Sequence, residues 1–473
     1  MSAEAPRHVA IDLGASGGRV ACGAVTEGVL DFEIVHRFPN RPVRLGRHLY
    51  WDVLRLWQEI RDGLRKVARG GAVASLGVTT WGVDYALLDA DRVPLGMVHC
   101  YRDERTAGAY DLIAPRLPRE AIYAATGIQF LPINTLPQLV AARRDAPRLF
   151  DHAAHLLMLP DLLNFWLTGR IVAEHTNAST TQLYDPVRRG WAEALIAAAG
   201  FDPAMFPELV EPGTVLGPLL PEIAADTGLQ GAVVVAPATH DTASAVAAIP
   251  AADDLPWSYV SSGTWCLTGI EVTAPVLTAA AREANVTNEQ GVRGTTRLLR
   301  NTSGLFLLQE SMRGWGDPPI EALLAAAEKV ATDTVIDAED PLFLQPGMDM
   351  PARIARWCAA HGRRAPDSEA ATTRVILNSL GEAIARTLRM VDRVADRRSR
   401  TVHVVGGGSR MALLNQAIAD AVGLEVVAGP VEATTSGNLL LQAEALGVIH
   451  AGDARAVMRR SAALARYAPR AEA

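Results

Sequence analysis

Residues 9–19 read Val-Ala-Ile-Asp-Leu-Gly-Ala-Ser-Gly-Gly-Arg, an apolar run that ends in a carboxylate and continues into a glycine-rich turn. The apolar run predicts a β-strand with Asp12 at its end. Glycines let the backbone turn with positive φ and bring amide N–H groups close to an anion, while Ser16 adds a donor and Arg19 adds positive charge. The stretch therefore predicts a strand followed by a phosphate-binding turn that includes Gly17 and Gly18.

Asp12 places a negative charge beside this predicted phosphate site. A carboxylate repels a phosphate unless a divalent cation lies between the two groups, and Mg²⁺ bound through water suits a single carboxylate. We therefore expect Asp12 to be the metal residue and a nucleotide with its Mg²⁺ to be the ligand.

Other interpretations of the same residues stay open at this point. The segment 14–18 fits the G-x-S-x-G pattern of a hydrolase nucleophile, although that turn normally follows several strands and only one precedes it here. The dinucleotide pattern G-x-G-x-x-G is not met, because Gly14 and Gly17 are three residues apart. An ordinary hairpin turn is also rich in glycine and serine.

Composition limits the class of protein. The 473 residues are enough for two or more domains, and the formal net charge is −7. No basic patch with interleaved aromatic residues points to nucleic acid, and no apolar run reaches the roughly 18 residues of a membrane span. The first residues lack the pattern of a signal peptide, so we expect a cytoplasmic protein with no membrane partner.

Cysteine and lysine usage excludes two kinds of site. The four cysteines are scattered without a C-x-x-C pair, which argues against a zinc site or a disulfide framework. The two lysines, Lys66 and Lys329, do not follow a glycine, so a Walker A loop is impossible.

Strand and helix patterns alternate along the chain, which is typical of α/β proteins. Strands are predicted at 9–11, 20–25, 30–37, 75–79, 85–89 and 233–238, and helices at 51–67, 107–116, 135–144, 162–167 and 243–248. The segment Ile249–Asp254 resembles a hinge, which predicts a domain boundary near residue 249.

A second hairpin follows the predicted hinge. Strands at 257–261 and 266–272 enclose Ser262-Gly263-Thr264, which repeats the layout of the N-terminus. Later, the strand 401–405 leads into Gly406-Gly407-Gly408-Ser409 and a helix at 412–422. The triple glycine predicts a third close backbone approach to a ligand, although a tight turn between strand and helix explains it equally well.

Asp241 is the predicted catalytic base. It follows the apolar strand 233–238 and precedes a small-residue helix, the position at which open α/β sheets place their ligands. A carboxylate there can accept the proton of a substrate hydroxyl as it attacks a γ-phosphoryl group. The alternative is a structural helix cap, for which Asp is also favoured.

Several motifs together resemble the FGGY family of carbohydrate kinases, over about residues 9–447. They are Asp12–Arg19, Thr80-Trp-Gly-Val-Asp84, Tyr101-Arg-Asp-Glu-Arg105, Gly127-Ile-Gln-Phe-Leu-Pro-Ile-Asn-Thr135, Thr239-His-Asp-Thr-Ala-Ser-Ala245, Ser261-Ser-Gly-Thr-Trp265 and Val405-Gly-Gly-Gly-Ser409. The resemblance implies an α/β fold with two ribonuclease H-like domains, of the actin, hexokinase and Hsp70 type, flanking a deep interdomain cleft. It implies an N-terminal sugar-binding domain at 1–249 and a C-terminal ATP-binding domain at 250–473.

The resemblance also implies roles for individual residues. ATP contacts are implied for Ala15, Ser16, Gly17, Gly18, Arg19, Thr264, Asn301, Gln309 and Gly407. Sugar contacts are implied for Gly82, Asp84, His240, Asp241 and Thr242, and we add Gln129 and Asn134 from their place in a stretch that resembles a sugar-side loop.

Within the family, the similarity is greatest to kinases that act on L-rhamnulose. The resemblance therefore implies ATP- and Mg²⁺-dependent phosphorylation of L-rhamnulose at its primary hydroxyl, giving L-rhamnulose 1-phosphate and ADP. Another ketose, such as L-fuculose, L-xylulose or ribulose, is the alternative substrate. A non-catalytic sugar or nucleotide sensor is the alternative class, and the sequence does not give the oligomeric state.

Overall fold

The computed structural model describes residues 5–252, 255–343, 347 and 349–470. The chain forms two compact units. The first unit comprises residues 1–250, 271–298 and 434–461, and the second comprises 251–270, 299–433 and 462–473. The last two residues of the predicted hinge, Asp253 and Asp254, lie outside the described residues.

The strands, in chain order, are β1 (Arg7–Leu13), β2 (Gly17–Thr26), β3 (Val29–Pro39), β4 (Val43–Leu45), β5 (His48–Tyr50), β6 (Ser75–Thr80), β7 (Tyr85–Leu88), β8 (His155–Met158), β9 (Ala173–Glu174), β10 (Tyr184–Asp185), β11 (Gly190–Trp191), β12 (Leu209–Val210), β13 (Thr214–Pro218), β14 (Val233–Ala236), β15 (Trp257–Ser262), β16 (Trp265–Val272), β17 (Thr287–Gln290), β18 (Thr296–Ser303), β19 (Thr401–Val405), β20 (Glu425–Ala428) and β21 (Ala465–Tyr467).

The helices are α1 (Val53–Ala68), α2 (Ala109–Ile113), α3 (Arg119–Thr126), α4 (Thr135–Asp145), α5 (Leu159–Thr168), α6 (His175–Ala178), α7 (Glu193–Ala198), α8 (Pro221–Thr227), α9 (Asp241–Ala247), α10 (Ala279–Glu283), α11 (Phe306–Gly314), α12 (Ile320–Glu328), α13 (Met350–Ala360), α14 (Glu369–Val394), α15 (Ala412–Val422), α16 (Ala433–Ala445) and α17 (Ala454–Ser461).

The first unit is built on a six-stranded sheet in the order β13-β14-β6-β1-β2-β3. Strands β1 and β2 form the predicted hairpin, in which Asp12 lies opposite Arg19. Strands β1, β6 and β14 run parallel, and an isolated bridge from Thr80 to His240 extends that pairing. Their carboxyl ends therefore share one edge of the sheet, where the glycine turn, the loop after Thr80 and the loop before Asp241 emerge.

The second unit repeats this plan. Its strands lie in the order β18-β16-β15-β19-β20-β21, and β15 pairs antiparallel with β16 and parallel with β19. The turn after β15 and the glycine turn after β19 consequently emerge at the same edge. Among the helices, α14 and α15 approach closely at Gly381, where a Cβ would lie 2.9 Å from the carbonyl oxygen of Ala417.

Local signals explain most helix boundaries. Helix α1 begins after Asp52, whose side chain accepts the Arg55 N–H, and helix α15 ends at Gly423 in the left-handed conformation. The predicted helix 107–116 was too long, because Gly108 at φ +72° delays the start to Ala109 and the helix ends at Ile113. Of the helices in the described ranges, none is both long and apolar enough to cross a bilayer.

Candidate active site

Asp241 is the first residue of α9, and its carboxylate uses one oxygen for local hydrogen bonds. The Thr242 backbone N–H donates to Oδ1 at 2.6 Å, and the Thr242 hydroxyl donates to the same oxygen at 3.2 Å. Oδ2 accepts no hydrogen bond from the residues that the structure describes. Because the side chain is still 27% exposed, this oxygen remains available to a substrate proton.

The surroundings of Asp241 shift its acidity. Burial raises the pKa of the Asp241 carboxyl, while His240, the Thr242 donors and the Arg297 guanidinium lower it. Burial is the dominant cause, so the pKa lies above that of an ordinary aspartate. A raised pKa makes a carboxylate a better proton acceptor, as a general base requires.

His240, Glu289 and Arg297 form a buried polar cluster beside Asp241. Arg297 Nη2 lies 2.9 Å from Nδ1 of His240 and 3.1 Å from Oε2 of Glu289. Nε2 of His240 lies 3.4 Å from Oδ1 of Asp241. His240 was predicted from the sequence, whereas Glu289 on β17 and Arg297 on β18 were not.

Glu174 holds the loop that carries His240 and Asp241. Its fully buried carboxylate accepts the Thr239 N–H at 2.8 Å, the Thr239 hydroxyl at 2.7 Å and the Thr176 N–H at 2.8 Å. The Thr176 hydroxyl in turn accepts the His240 N–H at 3.2 Å. Burial raises the pKa of Glu174, opposed by these donors. Glu174 was also missed from the sequence, and it fixes the backbone that presents Asp241.

Asp84 organises the loop after β6. Its buried carboxylate accepts Nε1–H of Trp51 at 2.6 Å, Nε1–H of Trp81 at 2.8 Å and Nε2–H of Gln138 at 2.9 Å. Burial raises the pKa of Asp84 to about 6 despite these donors. Most of its hydrogen-bonding capacity is therefore used inside the protein, and a sugar contact for Asp84 stays a prediction.

Gly82 in the same loop packs against Thr180. A Cβ at Gly82 would lie 2.8 Å from the Thr180 hydroxyl oxygen, so a larger residue would push the loop away. The same hydroxyl accepts the Val83 N–H at 3.1 Å. The loop is thus held close to the segment 179–181 on one side and to the tryptophans on the other.

Gln129 and Asn134 lie together, as their shared loop predicts. Asn134 Nδ2 donates to the Gln129 carbonyl at 2.7 Å and to the Tyr110 hydroxyl at 3.3 Å. Both side chains are buried, and none of the hydrogen bonds of Asn134 to described residues reaches His240, Asp241 or Thr242. Their role toward a sugar stays a prediction.

The turn between β1 and β2 has the shape of an anion site. The Gly14 N–H donates to the Gly17 carbonyl at 2.9 Å, and a Cβ at Gly18 would collide with the Phe38 ring. A cavity of about 400 Å³ opens beside the turn, lined by Gly14, Ser16, Gly17, Gly18, Arg19, Arg37, Phe38 and Pro39. Two arginines and a glycine backbone suit a phosphate group.

The same geometry removes the hydrolase interpretation of Ser16. A nucleophile elbow is a strand-to-helix turn, whereas this turn joins the antiparallel strands β1 and β2. Ser16 instead lies at the tip of a hairpin, with its carbonyl accepting the Asn40 N–H at 3.2 Å.

Asp12 lies at the end of β1 and is buried. Its Oδ2 accepts the Thr435 hydroxyl at 2.9 Å and lies 3.5 Å from Nε of Arg19. A carboxylate is the ligand type that Mg²⁺ prefers, and one suffices when phosphates and waters complete the shell. The described ranges contain no cluster of three or more His, Cys, Asp or Glu residues that could hold a metal alone. The chemistry of Asp12 therefore fits a metal that arrives with a nucleotide.

Predicted ATP contacts of the second unit come from two turns, one helix and one strand. The Thr264 hydroxyl, in the turn after β15, donates to Oε1 of Gln309 on α11 at 3.3 Å. In the turn after β19, Gly406 has φ +82°, a Cβ at Gly408 would collide with Ser262, and a Cβ at Gly407 would meet nothing within 4 Å. Gly407 thus borders open space, as a ligand contact requires. Asn301 lies on β18 and is half-buried.

Comparison with solved structures supports the fold. A ligand-bound xylulose kinase from Lactobacillus acidophilus matches with a TM-score of 0.79 at 14% identity, covering 98% of this chain and 94% of that one. A glycerol kinase from Plasmodium falciparum with ADP matches with a TM-score of 0.76 at 14% identity, covering 97% and 94%. At such identities the likeness concerns the fold alone, and it confirms the predicted two-domain α/β class.

Sequence comparison gives nearer relatives. A rhamnulokinase from Bacteroides thetaiotaomicron is 41% identical over 463 residues, which is 97% of this chain and 95% of the relative. A rhamnulokinase from Pectobacterium carotovorum is 42% identical over 470 residues, covering 98% and 93%.

The profiles of a carbohydrate kinase family cover most of the chain. Residues 8–248 match the N-terminal domain, and residues 258–446 match the C-terminal domain. This coverage agrees with the identities of about 40% to whole relatives and with the structural likeness. The chain therefore belongs to the FGGY family of carbohydrate kinases and is an ATP-dependent sugar kinase.

Proposed function

We propose that the protein transfers the γ-phosphoryl group of ATP to the primary hydroxyl of L-rhamnulose, giving L-rhamnulose 1-phosphate and ADP. Identity of about 40% to several rhamnulokinases over nearly the whole chain supports this substrate. One structural observation above all supports the kinase chemistry: Oδ1 of Asp241 is hydrogen-bonded to Thr242, while Oδ2 accepts no hydrogen bond from the described residues.

In the proposed reaction, Asp241 accepts the proton of the primary hydroxyl while that oxygen attacks the γ-phosphorus. The bond from the γ-phosphorus to the bridging oxygen breaks, and ADP leaves. Thr242 keeps Oδ1 occupied and so directs Oδ2 to the substrate. The partly buried carboxylate gains proton affinity from its surroundings, which favours proton transfer.

Sugar contacts are proposed for the residues at the carboxyl edge of the first sheet and the adjoining loop. They are Gly82, Asp84, Gln129, Asn134, His240 and Thr242. The Glu174 network supports the proposal for His240, because it fixes the backbone N–H groups of Thr239 and His240. For Asp84 we infer that its main contribution is to hold Trp51 and Trp81 in place.

ATP contacts are proposed for the glycine turns of both hairpins and for the turn after β19. They are Ala15, Ser16, Gly17, Gly18 and Arg19, together with Thr264, Asn301, Gln309 and Gly407. The arginine-lined cavity beside residues 14–19 supports phosphate binding there. Asp12 would hold Mg²⁺, which neutralises charge on the phosphates when it is bound.

We also infer a division of labour along the chain, with sugar contacts in 1–249 and nucleotide contacts shared with 250–473. A cytoplasmic location is part of the proposal. The four cysteines are free and buried, a usage typical of proteins in reducing compartments.

A coupled ADP-release assay tests the substrate. L-rhamnulose should show the highest kcat/KM among L-rhamnulose, L-fuculose, L-xylulose and ribulose. A site built to pair one set of hydroxyls leaves buried polar groups unpaired when an epimer binds. Equal turnover of several ketoses, or preference for an aldose, would contradict L-rhamnulose while leaving the kinase class intact.

A further inference from the structure

Arg297 is a fully buried cation next to the proposed catalytic base. Its side chain is 0% exposed, and its Nε–H donates to the Gln290 carbonyl at 3.1 Å. Nη2 faces both His240 and Glu289, whereas Nη1 is buried without a hydrogen-bond partner among the described residues. A buried guanidinium with one unused nitrogen costs stability, so its presence calls for a role other than packing.

The contact between Arg297 and His240 determines where the imidazole carries its proton. A guanidinium only donates hydrogen bonds, so Nδ1 of His240, 2.9 Å from Nη2, must act as the acceptor. His240 is then neutral, and its single N–H lies at Nε2. That nitrogen is 3.4 Å from Oδ1 of Asp241.

Glu289 is the competing partner for the same nitrogen. Its Oε2 lies 3.3 Å from Nδ1 and would accept a proton carried there. A proton on Nδ1 of His240 would face an N–H of Arg297. Nη2 of Arg297 also lies 3.1 Å from Oε2 of Glu289, so the guanidinium neutralises the charge of that carboxylate. Among the described residues, the charged groups that contact the imidazole are Asp241, Glu289 and Arg297. The Glu174 network holds the backbone N–H of His240 through Thr176.

We propose that Arg297 is a positioning residue for phosphoryl transfer, which holds His240 with its N–H toward Oδ1 of Asp241, the oxygen that accepts the Thr242 hydrogen bonds, so that Oδ2 faces the substrate. The proposal rests on the proposed function, in which Asp241 is the base. With the opposite tautomer, a lone pair of Nε2 would face Oδ1, and repulsion would turn the carboxylate away from its productive orientation.

The tautomer can be measured without any assay of activity. We would label the protein with ¹⁵N-histidine and identify His240 as the one of eleven histidines whose signals disappear in His240→Gln. At pH 7 the signals should be those of a neutral imidazole protonated at Nε2. An Nδ1–H tautomer or an imidazolium at this pH would overturn the proposal. This result is separate from the outcome of the substrate assay.

Kinetics test whether the contact matters for the reaction. Arg297→Met should lower kcat about 10- to 100-fold, because the group that orients His240 is lost. The KM for ATP should change less than about twofold. The acidic limb of the kcat profile should move to higher pH, because the charge that lowers the pKa of Asp241 is gone. Arg297→Lys should restore part of both. Unchanged kcat and pH profile in Arg297→Met would overturn the proposal.

A matched control and a double variant separate positioning from stability. Arg455→Met removes a partly buried guanidinium that pairs with Glu271 at 2.7 Å and contacts the Val246 carbonyl near the end of α9 but not Asp241, and it should keep the wild-type pH profile. When His240 is already replaced by Gln, adding Arg297→Met should lower kcat by less than a further factor of about two, because the effects of substitutions at coupled residues do not add. Additive losses would show that Arg297 does not act through His240. Should Arg297→Met fail to fold, Arg297→Lys and the ¹⁵N spectrum decide.

Discussion

At the scale of single residues, the carboxylates of the first unit divide into different tasks according to what surrounds them. Oδ2 of Asp241 accepts no hydrogen bond from the described residues, and Asp84 is enclosed by indole and amide donors. Glu174 uses Oε2 for Thr239, in the loop before Asp241, and Oε1 for Thr176. The residue type is similar in each case, so the environment assigns the chemistry.

Replacing Asp241 tests the base directly. Asp241→Asn preserves the shape and most local hydrogen bonds but cannot accept a proton, so kcat should fall about 10²- to 10⁴-fold while the fold is retained. Steady-state kinetics with L-rhamnulose and circular dichroism would measure both. Asp226→Asn, which breaks the pairs with Arg61 and Arg65, should leave kcat unchanged. Near wild-type turnover in Asp241→Asn would remove Asp241 from the role of base.

The proposed role of Asp12 in holding Mg²⁺ can be tested by measuring how activity depends on the Mg²⁺ concentration. Asp12→Asn should raise the Mg²⁺ concentration needed for half-maximal activity and lower kcat, because the charge of the metal ligand is lost. Ser16→Ala should have a smaller effect, since backbone amides form most of the turn. A Mg²⁺ titration identical to that of the wild type would assign Asp12 a structural role, which includes its contacts with Thr435 and Arg19.

Burial of Asp84 makes the free energy of unfolding depend on pH, in a direction set by the raised pKa of its carboxyl. Its pKa is raised to about 6 in the folded protein, so the folded state binds this proton more tightly than the unfolded chain. The resulting stability is present below about pH 4 and is lost as pH rises toward 6, by up to about 3 kcal/mol. Asp84→Asn, which cannot titrate, should lack this decline. Denaturant midpoints of both proteins at pH 4.5, 5.5 and 6.5 would measure the difference, and parallel curves would contradict the burial argument.

At the scale of elements, the turn after β19 separates a structural glycine from a ligand-facing one. Gly408 cannot carry a Cβ without colliding with Ser262, whereas Gly407 borders open space. Gly407→Ala should therefore leave the melting temperature unchanged and raise KM for ATP about tenfold, equivalent to about 1.4 kcal/mol. Gly190→Ala, where a Cβ would lie 4.0 Å from its nearest neighbour, is the matched control. An unchanged KM would place ATP elsewhere.

Elements with local signals could be predicted from the sequence, and long-range partners could not. Apolar runs and turn residues that lie near one another in the chain predict both glycine hairpins, β14 and the helix that starts at Asp241. Helix 107–116 was overextended because Gly108 was not treated as a start signal. Glu174 and Arg297 contact the loop of Asp241 across 65 and 57 residues, and no spacing rule connects such positions. Their roles needed the structure.

At the scale of the whole molecule, ligand binding should be visible as stability. Anything that binds only the folded state raises its unfolding free energy, by about 2.7 kcal/mol at a ligand concentration of 100 times Kd. Both L-rhamnulose and ATP with Mg²⁺ should therefore raise the melting temperature of the wild type. At 100 times the wild-type Kd, Gly407→Ala should keep the sugar-induced rise and lose about half of the ATP-induced rise. Calorimetry would measure these shifts, and loss of both would indicate general damage.

The first unit is completed by residues from near the end of the chain. Helix α16 covers β1 and β6, where Gln442 donates to the Val9 carbonyl at 2.9 Å and Asn438 donates to the Gly77 carbonyl at 3.0 Å. During synthesis from the N-terminus, the ribosome must translate more than 430 residues before these carbonyls meet their partners. A nascent chain that stops at residue 250 therefore lacks part of the interior of its own first unit, and premature termination would yield a fragment prone to proteolysis instead of a smaller working domain.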